Sequence, residues 1–78
     1  MKAKLGSKAQ KFLDRIDEKE AVRIMKAIEK LEKEPPEGDI LKMKARIGYW
    51  LRLGGIRVLF EKGEKELLVT NIDHRGQV

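Results

Sequence analysis

The hydrophobic positions in the first half of the chain recur at helical spacing, and those in the second half alternate. Ala9, Phe12, Leu13 and Ile16 fall three and four residues apart, the repeat of one helix face. Ser7 with Gln10 has the spacing of a capping box at the start of that run. Asp17 with Glu20 repeats the start signal in weaker form, and Ala21, Ile24, Met25, Ile28 and Leu31 then form one apolar stripe with Val22 at its margin. Lys and Glu fill the remaining positions, as a solvated helix surface requires. Pro35 and Pro36 bar continuation of the second helix, because proline has no amide proton and disfavours helix in the residue before it. Beyond the loop at 35–39, Tyr49 to Leu53 and Ile56 to Lys62 read as strands joined by Gly54-Gly55, and Glu66 to Ile72 reads as a third. Lys2 to Leu5 is a candidate edge strand. The pattern predicts a single α+β domain over residues 1–78. Its two N-terminal antiparallel helices pack on one face of a three- to four-stranded, mainly antiparallel sheet.

The glycine pair fixes a register. With Gly54 and Gly55 as the loop, Leu53 lies opposite Ile56 and Arg52 opposite Arg57. Alternation then gives one face Tyr49, Leu51, Leu53, Ile56, Val58 and Phe60, and the other Trp50, Arg52, Arg57 and Leu59. Two arginines directly opposite one another repel by a fraction of about 1 kcal/mol at an exposed site, so stability alone does not ask for them. Centring the next turn on Gly63-Glu64 places Arg57 opposite Thr70 and brings Asp73-His74-Arg75 to the same end of the sheet. The expectation is that Arg52, Arg57, Arg75 and the only histidine, His74, converge on one sheet face.

Composition narrows the chemistry. The 78 residues include no cysteine and one histidine, so neither a disulfide framework nor a zinc cluster is expected, and no metal or cofactor is implied. No apolar run approaches the roughly 20 residues of a membrane span, and no apolar stretch follows the basic start, so neither a membrane partner nor a signal peptide is expected. The expected setting is the cytoplasm. Eighteen Lys and Arg against 13 Asp and Glu leave a formal charge of +5, which suits a polyanion or an acidic protein as partner.

Guanidinium groups bind phosphate bidentately, stay charged at any physiological pH and stabilise charge developing on phosphorus. Trp50 offers a flat surface on which a base can stack. His74 is the candidate for proton transfer. Lys42, Lys44 and Arg46 are candidate contacts to a nucleic-acid backbone. The plainer reading makes the arginines a solvated sheet surface neutralised by Glu61 or Asp73, Trp50 a hydrophobic cover, and 42–46 a solvated basic run.

Gly48-Tyr49-Trp50-Leu51-Arg52-Leu53-Gly54-Gly55-Ile56-Arg57-Val58-Leu59-Phe60 resembles the central hairpin of RelE/ParE toxins, and Ile72-Asp73-His74-Arg75-Gly76-Gln77-Val78 resembles their closing motif. Lys42-Met43-Lys44 stands where the family often has Lys-Leu-Lys. The resemblance covers nearly the whole chain and implies the toxin of a type II toxin–antitoxin system. RelE-like members cleave mRNA in the ribosomal A site without a metal, with the RNA 2′-hydroxyl as nucleophile. ParE-like members poison DNA gyrase instead, and a weakened relative would mainly bind its antitoxin. The implied partners are a cognate antitoxin, the ribosome and mRNA, with operator DNA reached through the antitoxin complex. Carried over by position, Arg52, Arg57 and Arg75 would hold the phosphate and stabilise the transition state, His74 would assist, and Lys42 and Lys44 would touch RNA. Three departures stand out. Trp50 replaces a frequent lysine or arginine, Asp73 replaces a glycine, and the sequence stops at Val78, before the family's terminal tyrosine.

Overall fold

A strand precedes both helices. The computed structural model describes residues 1–44 and 47–74; its elements run β1 Lys2–Leu5, α1 Ser7–Arg15, α2 Glu18–Leu31, β2 Asp39–Lys42, β3 Tyr49–Leu53, β4 Ile56–Lys62 and β5 Glu66–His74. The strands form one five-stranded sheet of order β1-β5-β4-β3-β2. β1 runs parallel to β5, and every other neighbouring pair is antiparallel.

This corrects the expected architecture in two respects. The helices lie after the first strand and are not N-terminal, and the sheet is mixed with five strands where three or four were expected. The unforeseen strand is β2. Its two apolar residues are adjacent: Ile40 lies opposite buried Leu51, whereas Leu41 lies opposite Trp50 on the other face. One apolar residue per face gives no alternation to read. β1 is equally short, with Ala3 and Leu5 against the core and Lys2 and Lys4 exposed.

The core lies between the helices and one face of the sheet. Ala9 and Leu13 of α1 and Ile24, Ile28 and Leu31 of α2 join Leu51, Ile56, Val58, Phe60, Leu67, Val69 and Ile72 in a single buried cluster. Tyr49 stacks on Phe60 with ring centroids 5.7 Å apart. Gly48 opens β3 at φ 124°, and a Cβ there would stand 3.0 Å from the Phe60 carbonyl oxygen, so only glycine fits beside β4. The Ala3 amide on β1 donates to Glu32 Oε2 at 2.6 Å, tying the edge strand to the end of α2.

The two helix starts differ from one another. Asp17 caps α2, its Oδ1 accepting from the Glu20 amide at 2.9 Å. The Ser7–Gln10 capping box does not form. The Gly6 amide donates to the Val69 carbonyl at 2.8 Å, which places Gly6 at the N-cap and makes Ser7 the first helical residue, one position too late to cap.

The central hairpin has the expected register, with Leu53 opposite Ile56, Arg52 opposite Arg57, and Gly54 at φ 59° in the turn. The next register differs. The Gly63 amide donates to the Glu66 carbonyl at 2.8 Å, so the turn centres on Glu64-Lys65. Phe60 then lies opposite Val69 but Leu59 opposite Asn71, leaving Thr70 as an extra residue in a β-bulge. Arg57 consequently faces Asp73 and not Thr70.

The caps make a paired prediction. Asp17→Ala should lower unfolding free energy by about 1 kcal/mol, and Ser7→Ala should change it by less than about 0.5 kcal/mol, both read by urea denaturation.

Candidate functional site

The outer face of the sheet carries a row of four charges, one from each of four adjacent strands. Asp39 on β2 lies opposite Arg52 on β3, Arg52 opposite Arg57 on β4, and Arg57 opposite Asp73 on β5. Arg52 Nε donates to Asp39 Oδ2 at 2.7 Å. Arg57 donates twice to Asp73, from Nε to Oδ1 at 3.0 Å and from Nη2 to Oδ2 at 3.2 Å. The cross-strand repulsion of the arginines is thereby offset by a carboxylate on each outer side. All four side chains remain more than a third exposed, so each pair stabilises the fold by under about 1 kcal/mol. Hydrogen bonding to Asp73, and next its negative charge, hold the Arg57 guanidinium above the usual arginine range, against a small opposing cost of burial. Because that shift is upward, its stabilisation is complete below the unfolded-state value and is lost only as pH rises through the folded one. Arg57 therefore remains a cation throughout the physiological range.

Trp50 joins the arginines on this face. It is half-buried, with the Arg57 guanidinium carbon 5.7 Å from its ring centroid, close enough for a cation–π attraction. Arg52, Arg57 and Trp50 thus form one patch, partly masked by two acids. Asp39 was absent from the expected set because its strand was not foreseen, although its position opposite Arg52 follows once β2 is known.

The other expected site residues lie elsewhere. His74 pairs with Ile56, a core-face residue, and its ring sits 5.4 Å from that of Phe12 on α1. It is on the helix side of the sheet, across from the arginine row and not converged with it. Alternation forces this: neighbours Asp73 and His74 point to opposite faces, and the bulge at Thr70 sends Asp73 outward. Lys42 lies opposite Tyr49 at the far end of β3 from Arg52. There Lys42, Lys44, Tyr49 and Lys62 line an open basin of about 420 Å³, with the Lys62 ammonium 5.7 Å from the Tyr49 ring centroid. Arg46 and Arg75 lie outside the described residues. Among the described residues no three His, Cys, Asp or Glu side chains form a metal-binding group, and no helix is long and apolar enough to cross a membrane.

The charge row makes a quantitative prediction. A double-mutant cycle of Arg57→Gln and Asp73→Asn should give a coupling below about 1 kcal/mol that shrinks as salt is raised, measured by urea denaturation at low and high KCl.

No family model matches the chain, and no curated protein matches it. Solved structures do. The chain is similar to one from the RelE–RelB complex of Pyrococcus horikoshii OT3, with a TM-score of 0.80 and 24% identity over 99% of this chain and 97% of that one. A chain from the Mycobacterium tuberculosis RelBE2 toxin–antitoxin complex aligns with a TM-score of 0.79 at 13% identity, over 95% of this chain and 96% of that one. One from the RelB–RelE antitoxin–toxin complex of Methanococcus jannaschii aligns with a TM-score of 0.73 at 21% identity, over 91% and 88%. Agreement of this kind across nearly the whole length, with so few identical residues, is agreement of backbone architecture: the chain has the RelE-like toxin fold.

Proposed function

We propose that this protein is the toxin component of a type II toxin–antitoxin system, and that it inhibits translation by cutting mRNA on the ribosome with the RNA 2′-hydroxyl as nucleophile. The observation that carries the reading is the half-exposed Arg52–Arg57 pair at the centre of a RelE-like fold. Residues directly opposite in an antiparallel pair have Cα atoms about 4.5–5.5 Å apart, so two guanidinium groups can address one phosphate or two successive ones. Each is a planar, permanently charged donor suited to phosphate oxygens. Trp50, already under Arg57, supplies the stacking surface.

The acids at either end of the row make binding an exchange, in which phosphate displaces carboxylate. Two exposed ion pairs, each under about 1 kcal/mol, together weaken binding by no more than about 30-fold. That is a tax on affinity and not a block. With His74 across the sheet, the reading gives the arginine row the work of holding the phosphate and stabilising charge on it. Arg75, which follows His74 in sequence, is the third expected clamp residue. A cognate antitoxin that covers this face would silence the protein, and the complexes named in the similar structures support such a partner.

A second reading is favoured by the separation of His74 from the arginines. A toxin that binds a protein target such as DNA gyrase, or a relative that chiefly binds its antitoxin, needs no proton-transfer group beside the clamp.

Cleavage of a defined mRNA on programmed ribosomes separates these readings. The endonuclease should cut only when the ribosome is present. Arg57→Ala should reduce the rate by about 100-fold or more, and Asp73→Asn should leave it equal or higher. Ribosome-dependent cutting that survives Arg57→Ala would remove the clamp from the mechanism, and no cutting by the unaltered protein would leave the second reading.

A further inference from the structure

The arginine row carries its own counter-ions, and a basic surface without them lies along α1. α1 packs chiefly on β5, and between them runs an open trough of about 270 Å³ lined by Lys8, Lys11, Phe12, Arg15, Asn71 and Ile72. Three of these six residues are cations and none is an acid. Lys8, Lys11 and Arg15 take part in none of the ion pairs among the described residues. They stand at i, i+3 and i+7 of the helix, on one stripe, with axial offsets of about 4.5 Å and about 6 Å.

We propose that this trough binds the phosphodiester backbone of a single-stranded nucleic acid. A line of cations along one wall matches a chain of evenly repeated anions better than it matches one isolated anion. The opposite wall adds a donor. Asn71 Oδ1 accepts from the Ile72 amide at 2.9 Å, which fixes the side chain and leaves its NH₂ for a phosphate or sugar oxygen. Aromatic surface stands beside the cations: Phe12 lies between Lys11 and Arg15 in the helix stripe, and the His74 ring is 5.4 Å from it. Cations that track a backbone, with flat rings on which bases lie, are the two parts of a single-strand binding surface. An acidic peptide would use the cations and leave the rings without a partner.

The trough also leads somewhere. Lys8 and Asn71 line a second groove, of about 220 Å³, together with Met43, Ile47, Leu59, Phe60, Glu61 and Thr70. Leu59 lies opposite Trp50 on the outer sheet face. A strand held along α1 can therefore pass Lys8 and reach the face that carries Trp50 and Arg57. The inference stands on the charge and shape of the trough and does not depend on the toxin reading, so failure of ribosomal cleavage would leave it untouched.

The test compares two triple variants of equal charge by fluorescence anisotropy with a labelled single-stranded oligoribonucleotide and its DNA counterpart. Lys8→Gln/Lys11→Gln/Arg15→Gln empties the trough of charge. Lys19→Gln/Lys26→Gln/Lys65→Gln removes three exposed cations outside it. Three lost phosphate contacts should weaken binding by about tenfold or more at 0.1 M salt and flatten the slope of log K against log salt by about 2. The control triple should lose no more than about threefold. Equal losses in both triples, or no binding by the unaltered protein, would overturn the proposal. Circular dichroism confirms folding, and lysine-acetylation footprinting of the unaltered protein gives a readout free of substitution: RNA should protect Lys8 and Lys11 and leave Lys19 and Lys26 reactive. A preference between the RNA and DNA arms identifies whether the 2′-hydroxyl is read as well as the backbone.

Discussion

The burial of Ile72 governs what the sheet presents on either side. Without the extra residue at Thr70, the register that pairs Phe60 with Val69 would continue unbroken. Asn71 and Asp73 would then point at the helices, and Ile72 would point at solvent beside Arg57. Burying two polar side chains, one of them charged, costs several kcal/mol without partners. Exposing Ile72 forfeits about 1.5–3 kcal/mol more. One unpaired position in the ladder is a small cost against that sum, and Ile72 is 2% exposed. The bulge that buries it also turns Asp73 toward Arg57 and His74 toward Phe12. Core packing and site composition are thus decided at one residue.

That origin explains how positive charge is distributed over the molecule. At two places cations meet acids on a neighbouring strand, in the Asp39–Arg52–Arg57–Asp73 row and in Lys4 with Glu66, 3.7 Å apart on β1 and β5; at the far end of β3, Lys42, Lys44 and Lys62 line a basin with no acid in it. Where a helix lies against the sheet margin, no ladder partner stands opposite, and Lys8, Lys11 and Arg15 remain open to a ligand. Positive charge is therefore spread unevenly: the four-residue row is balanced, while the α1 margin and the basin of Lys42, Lys44 and Lys62 each carry a surplus.

Legibility in the sequence followed the range of the interaction responsible. The hairpin register was readable because Gly54-Gly55 sets it locally, and the apolar stripe of α2 was readable because Ile24, Ile28 and Leu31 repeat within one helix. The capping box at Ser7 failed because a distant residue, Val69, claims the Gly6 amide and fixes where α1 begins. β2 was missed because Ile40 and Leu41 serve opposite faces. The site was half legible. Arg52 and Arg57 meet where the turn places them, but the position of His74 depended on a bulge that no local pattern announces. The i, i+3, i+7 cations of α1 were in plain view, and their meaning required knowing that the part of β5 opposite them is Asn71 and Ile72, not an acid.

The short hydrogen bond from Ala3 to Glu32 makes the two margins of the sheet unequal. A β-sheet ends in a row of amides and carbonyls that invite another strand, and proteins blunt such rows to remain dispersed. On the β1 side, an amide that faces away from β5 is stoppered by a carboxylate from the end of α2, and Lys2 and Lys4 flank it with positive charge. Self-association by strand addition is thereby discouraged along that margin, which gives the sheet a guarded flank and a polarity of its own.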